Sequence, residues 1–433
     1  MVASSLSTPL PLLATLLTLA ALFGLANARL FRLPHTAGLV VLGLAASAAV
    51  AALDAAAPTL SLDPSTRAIL AAIDFRALLL DGFLSALLFA GAIHVDLAEV
   101  AQKKLAVAVL ATVGVLISTA VAGLATFAAA RALGQTLPLI WALTFGALIS
   151  PTDPVAVLAL LKTVRVPASL HAKLAAEALF NDGVGIVLFT VILGMATGSG
   201  DGPGLPEAAK LFLLEAVGGV ALGLATGYAA THLMALTDDH VLELMITLAL
   251  VAGAYAIAQA LGVSGPIAEV VAGLLIGNHG AKFAMSEAAR KTIFEFWELV
   301  EELLNSVLFL LIGLEVLLIG GSRAGIALAL TAIPIVLAAR WLSVALPLAA
   351  LSRWDTFSRG AVPILTWAGL RGGISVALAL SLPETPYKAA ILTASYAVVI
   401  FTVVAQGVTM PALVRRYYPG AIAIKPPPAR SDT

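Results

Sequence analysis

Between Leu137 and Leu161 the chain stays apolar for the length of a bilayer crossing, except at its middle, where it reads Ser150-Pro151-Thr152-Asp153-Pro154. Two prolines around an aspartate remove backbone donors and restrict the residues before them, so a helix there must kink or break. A second apolar run begins near Ala172 and carries Glu177, Asn181 and Asp182. A spacing of four puts Glu177 and Asn181 on one helix face and stacks Ala178 beside Asp182. Carboxylates at bilayer depth cost about 2.5 to 3.5 kcal/mol each on insertion scales. Three so close together point to a site; the bland alternative is a set of buried structural hydrogen bonds.

Composition extends this reading to the whole chain. Of 433 residues, 61% are hydrophobic and 11% charged, against about 25% charged in ordinary soluble domains. The expected fold class is therefore an all-α polytopic membrane protein. A net charge of -1 makes no case for nucleic acid or an acidic partner. Without cysteine, disulfides and thiolate metal sites are excluded. The six histidines (His35, His94, His171, His232, His240 and His279) fall at or near loop ends, and none forms an HExxH pair. A zinc hydrolase has no support.

About thirteen spans of roughly 20 apolar residues can be counted, over 9–26, 36–56, 76–94, 105–130, 137–161, 172–197, 208–233, 240–261, 264–278, 296–318, 324–350, 360–382 and 388–414. The first ends in Ala26-Asn27-Ala28, a triplet like a signal-peptidase site. No Lys or Arg precedes it and its apolar run is long for a signal, so it reads as a span. The ninth is short, and Gly265-Pro266 suggests an irregular start. Placing the N-terminus outside puts most Lys and Arg, among them Arg29, Arg32, Lys103, Lys104, Lys162, Arg165, Arg415 and Arg416, on the cytoplasmic side with the C-terminus. The tail from Lys425, with Pro426-Pro427-Pro428, reads as disordered.

Six spans, a linker and six more place two halves in opposite orientations, as an inverted repeat requires. The repeat calls for a partner to the broken fifth span, and the twelfth supplies one: Leu365-Thr366-Trp367-Ala368-Gly369-Leu370-Arg371-Gly372-Gly373-Ile374-Ser375. Irregular backbone at this depth is tolerated only when buried in protein or lining a cavity. Two crossing discontinuous helices bring positive N-termini and negative C-termini together. Asp153 is the natural countercharge for the former and Arg371 for the latter. Arg340 needs a buried acid too, and Glu177 is the candidate. Among other carboxylates, Asp81 and Glu315 read as interfacial or at a funnel mouth, and Glu269 as a hydrogen-bonding group with no evident role.

Ser150-Pro151-Thr152-Asp153-Pro154, Glu177-Ala178-Leu179-Phe180-Asn181-Asp182-Gly183, Asn305 through Glu315, Arg340 and Gly369-Leu370-Arg371-Gly372 together resemble the monovalent cation:proton antiporter family. The likeness is to its electroneutral branch of NhaP-like and NHE-like sodium/proton exchangers, and it runs from about Phe83 to Leu413. The resemblance implies an antiporter exchanging Na+ (or Li+ or K+) for H+, 1:1, without a cofactor and not an enzyme. It implies that Asp182 binds the cation or the proton, with Glu177 and Thr152 as further Na+ ligands. Asn181 would fix local geometry, Asp153 would stabilise the helix crossing, and Arg340 and Arg371 would compensate charge. It also implies a homodimer in a prokaryotic plasma membrane. A core domain (105–197 and 324–414) would move like an elevator against a dimerisation domain (9–94 and 240–318), joined by a linking helix (208–233) and followed by a short tail (415–433).

One position departs from the family. Relatives often carry serine after the glutamate, where this chain has Ala178, so water or another oxygen must fill that place. Two other function classes stay open. An organic-anion symporter on the same scaffold would want a larger site with spare positive charge. An intramembrane hydrolase would want a catalytic pair inside a span.

Overall fold

Lipid leaves backbone polar groups no partner but each other, which forces spanning segments into helices. The structure is a computed structural model and describes residues 9–56, 83–102, 104–153, 168–198, 205–315, 323–353, 357 and 360–418. Among them the elements are helical, without a strand. In order they are α1 (Pro9–Ala26), α2 (His35–Ala56), α3 (Leu84–Ile93), α4 (Lys104–Ala132), α5 (Leu139–Ile149), α6 (Ala168–Thr197) and α7 (Leu205–Met234). There follow α8 (His240–Leu261), α9 (Gly265–Leu275), α10 (Glu287–Glu315), α11 (Arg323–Leu351), α12a (Ala361–Trp367), α12b (Gly373–Leu380) and α13 (Lys388–Tyr417). Eight of the described helices are long and apolar enough to cross a membrane.

Helix ends follow local chemistry. Asp239 Oδ1 accepts from the amides of Val241 (2.9 Å) and Leu242 (3.4 Å) and opens α8. Gly262, at φ 65°, closes it in the left-handed conformation that glycine adopts without strain. Ser264 caps α9 through the Ile267 amide, and Pro266 lies in its first turn. That is where proline initiates a helix rather than distorting one, so the irregular start expected for the ninth span does not occur. The irregularity sits at its other end, a π-helical turn over Ile276–Gly280. The tenth helix also begins earlier than hydropathy suggests, at Glu287 rather than near residue 296. Its first turns are amphipathic and charged, and hydropathy marks entry into lipid, not the start of a helix.

Small residues set the closest packing, as in membrane bundles generally. A Cβ on Gly146 of α5 would overlap the Thr119 carbonyl of α4, and one on Gly223 of α7 the Ala268 carbonyl of α9. Asn27, in the signal-like triplet, is buried and clasps Leu33, with Nδ2 donating to the Leu33 carbonyl (3.0 Å) and Oδ1 accepting from its amide (3.2 Å). This clasp holds the α1–α2 turn. Several sequence expectations lie outside the described residues: the second half of the fifth span (154–161), Asp81, and the Pro426–Pro428 tail.

Candidate functional site

The α5 helix stops at Ser150, where it meets the gap between α12a and α12b. The last carbonyls of a helix lack intrahelical donors, and here Arg371 Nη1 donates to Ser150 O (2.7 Å) and Pro151 O (2.8 Å). The Asp153 amide donates to Leu370 O at 2.8 Å, tying the chain after α5 directly to the gap in α12. A Cβ on Gly372, just ahead of α12b, would overlap the Asp153 carboxylate. A negative helix end therefore faces a guanidinium and a positive one a carboxylate, the arrangement that helix dipoles favour. Arg371 is fully buried, and its own amide donates to Thr402 Oγ1 of α13 (3.1 Å).

From α6 come Glu177, Asn181 and Asp182, each buried. Glu177 Oε1 accepts from Arg340 Nη1 at 2.5 Å, and Arg340 Nη2 donates to Leu365 O of α12a at 3.0 Å. The arginine thus links α6, α11 and α12a. Asn181 uses both ends of its amide on one residue: Oδ1 accepts from the Thr152 amide (3.1 Å), and Nδ2 donates to Thr152 Oγ1 (2.6 Å). That double contact fixes the non-helical backbone after Ser150.

Asp182 is different. Its Oδ2 has no hydrogen-bond partner among the described residues. It lines a cavity of about 30 Å³, together with Asp153, Asn305, Gly372 and Ser375 and an apolar wall that includes Leu308. Space of this kind needs only about 10–15 Å³ to hold one water, so the cavity suits a small ion. Glu177, Thr152 and Asn181 do not line it; they stand behind it, committed to Arg340 and to each other. Asp153 and Arg371 act electrostatically on Asp182, and Glu177 and Arg340 act on Arg371. Three carboxylates and two guanidinium groups therefore form one buried cluster. A carboxylate in such a setting can be neutralised either by a small cation or by a proton.

Two residues of the cavity wall, and Tyr396 apart from it, carry no role in the sequence reading. Asn305 and Ser375 line the cavity, and Tyr396 Oη of α13 donates to Glu315 Oε2 of α10 at 2.5 Å. In the sequence Asn305 opens the Asn305-to-Glu315 stretch that resembles the family, a lone amide at the end of a charged helical stretch with no role assigned to it. Which way it faces depends on packing. Glu269 is fully buried beside the Tyr255 backbone, away from the cavity lining.

Comparison with known proteins agrees with this geometry. The family model for the transmembrane sodium/hydrogen exchangers matches residues 17–416. The Na(+)/H(+) antiporter NhaP of Pseudomonas aeruginosa is 44% identical over 95% of this chain and 97% of its own. The Na(+)/H(+) antiporter NhaH of Halobacillus dabanensis is 35% identical over 79% of this chain and 83% of its own. Among solved structures, the sodium proton antiporter MjNhaP1 of Methanocaldococcus jannaschii superposes with a TM-score of 0.71. It covers 94% of this chain and 97% of its own at 22% identity, a likeness of fold.

Proposed function

Because the chain belongs to the sodium/hydrogen exchanger family, its activity is Na+/H+ antiport by a multi-pass secondary transporter, and we propose that one cation and one proton contest Asp182 in a 1:1 exchange. The observation that carries this reading is the charge balance of the buried cluster. Asp153, Glu177 and Asp182 face Arg340 and Arg371, leaving one negative charge uncompensated. Glu177 is held by Arg340, and Asp153 lies at the start of α12b. Asp182 lines the cavity and has a carboxylate oxygen without a hydrogen-bond partner among the described residues. A monovalent cation neutralises the cluster when bound, and so does a proton, so the loaded site is neutral on either limb. Buried charge is expensive, which makes the empty, ionised site the one least able to cross.

In this reading Glu177 and Thr152 act on the ion from behind Asp182: Glu177 through the electrostatic cluster, Thr152 by holding the broken backbone. Asn181 fixes Thr152. Li+ and K+ are candidate alternatives to Na+ at the same site. The core of 105–197 and 324–414 moves as a unit against 9–94 and 240–318, with 208–233 as the link. The bonds from Arg340 and Arg371 that cross-connect α5, α6, α11 and α12 support its moving together. The exposed apolar side chains of α1, α7 and α8, such as Leu22, Val217 and Met245, suit lipid or the second copy of a homodimer. We place the N-terminus outside and the C-terminus in the cytoplasm. Organic-anion symport is disfavoured, since the cavity is ion-sized and presents carboxylates.

Everted vesicles from an antiporter-deficient host, read with a pH-sensitive dye, test the site. Asp182→Asn is expected to abolish Na+-driven proton flux while the purified protein keeps its melting behaviour. Substantial residual flux would refute the assignment.

A further inference from the structure

A carboxylate and a break in a helix do not by themselves make an alkali-ion site. Such ions shed their water only when oxygens of the protein replace it. The residue after Glu177 is Ala178, with no side-chain oxygen, and it does not line the cavity at Asp182. The neutral oxygen-bearing side chains that do are Asn305 of α10 and Ser375 of α12b, at 3% and 1% exposure.

The Asn305 amide is oriented by chemistry. A backbone carbonyl accepts and cannot donate, so the atom 2.6 Å from Glu301 O is the amide nitrogen. The opposite end, Oδ1, is then the acceptor end of the amide. On this residue, which lines the cavity, that end is a carbonyl-type oxygen of the kind that substitutes for water around a hard cation. Ser375 lies in the first turn of α12b, beside Gly372 and Gly373, which line the same cavity.

The two residues belong to different parts of the molecule. Asp182 and Ser375 lie in the segments assigned above to the moving core, whereas Asn305 lies on α10, in the segment 240–318 assigned to the stationary part. We propose that Asn305 Oδ1 is a cation ligand in the conformation seen here and is left behind when the core moves, so that it sets cation affinity and selectivity on one face of the membrane only. Ser375 Oγ travels with Asp182 and serves on both faces. The inference rests on the antiport reading and deepens it. It makes the two faces of one site chemically unequal: the ion loses a neutral ligand on crossing, while the proton, which needs only Asp182, does not.

The test compares everted and right-side-out vesicles of the full chain, each assayed with Na+ and then Li+. Asn305→Ala is expected to raise the apparent KM for Na+ roughly tenfold in one vesicle orientation, the scale of one lost ligand hydrogen bond or ion contact. The KM in the other orientation and the maximal rate should hold, and the Na+/Li+ ratio should change in the affected orientation only. Ser375→Ala should raise KM in both orientations. Asn305→Ser, which returns an oxygen on a shorter arm, should fall between alanine and the parent chain. It carries the test if the alanine variant does not fold, as judged by thermal unfolding of the purified protein. An unchanged KM in both orientations overturns the proposal, and so does an equal rise in both, which a merely structural role would give. Asp182→Asn, run alongside, separates the layers. If it still exchanges ions, the underlying reading of the site has failed; if it is inert while Asn305→Ala is silent, only the present inference has.

Discussion

Arg340 shows how much one buried side chain constrains. Its guanidinium reaches Glu177 at 2.5 Å and Leu365 O at 3.0 Å, using both terminal nitrogens on two different helices. Removing one member of a buried pair leaves the other as an uncompensated charge, at a cost of about 3–5 kcal/mol. Arg340→Ala should therefore lower the unfolding midpoint markedly, and Glu177→Gln in that background should recover part of the loss. Thermal unfolding of the four proteins of this double-mutant cycle gives the coupling directly, and strictly additive losses would mean that the pair contributes nothing as a pair. Lysine should rescue poorly, because a single ammonium on a flexible stem does not reproduce a two-pronged donor. The pair was legible in the sequence because Arg340 is the one charge in its apolar run and needed a buried acid, which Glu177 could supply. Asn305 was not legible in that way, since a neutral amide demands no countercharge and its neighbours in space are far away in the chain.

At the level of elements, the junction of the α5 end with the gap in α12 depends on how closely two backbones approach. Gly372 has φ -118° and ψ -157°, open to any residue, so its glycine answers to space alone. A Cβ there would overlap the Asp153 carboxylate, in the rigid surroundings of a fully buried arginine. Gly372→Ala should push Asp153 off the start of α12b and lose most exchange activity. Gly194→Ala, on α6 with nothing within 4 Å of the added carbon, should behave as the parent chain; vesicle assays of the two variants side by side check this. Such breaks can be read where proline or glycine clusters around a charged residue inside an apolar run; a lone proline does not suffice, since α11 continues through Pro334 and Pro347. The π-helical turns over Leu110–Gly114, Ile276–Gly280 and Thr402–Gln406 left no comparable mark. A π turn inserts one residue into the hydrogen-bond ladder without changing composition or hydropathy. Only packing reveals it, as where the turn at Thr402 brings that hydroxyl to the Arg371 amide at 3.1 Å.

For the whole molecule, the proposed 1:1 exchange ties the response to voltage and to pH to the charge balance of the buried cluster. If the site crosses neutral on both limbs, one cation moving one way and one proton the other transfer no net charge. Clamping the membrane potential with valinomycin and K+ should then leave the Na+-driven rate unchanged. An exchanger carrying two protons per cation would respond at about 2.3 kcal/mol per net charge per 100 mV. The pH dependence follows from the same competition. Acid protonates Asp182 and should raise the apparent KM for Na+, while alkali starves the limb that must carry a proton. The rate should therefore be bell-shaped in pH, with both limbs governed by one carboxylate rather than by two separate groups. Asn181 enters here because it cannot ionise and its amide is spent on Thr152 at both ends. Asn181→Asp adds a second carboxylate beside Asp182, and the Na+-driven rate of that variant should become sensitive to voltage. The deciding measurement is transport current on a solid-supported membrane, recorded beside the pH-dye signal. Proton flux without sustained current is expected for the parent chain. A sustained Na+-dependent current that vanishes in Asp182→Asn would overturn the 1:1 stoichiometry while leaving Asp182 as the shared site.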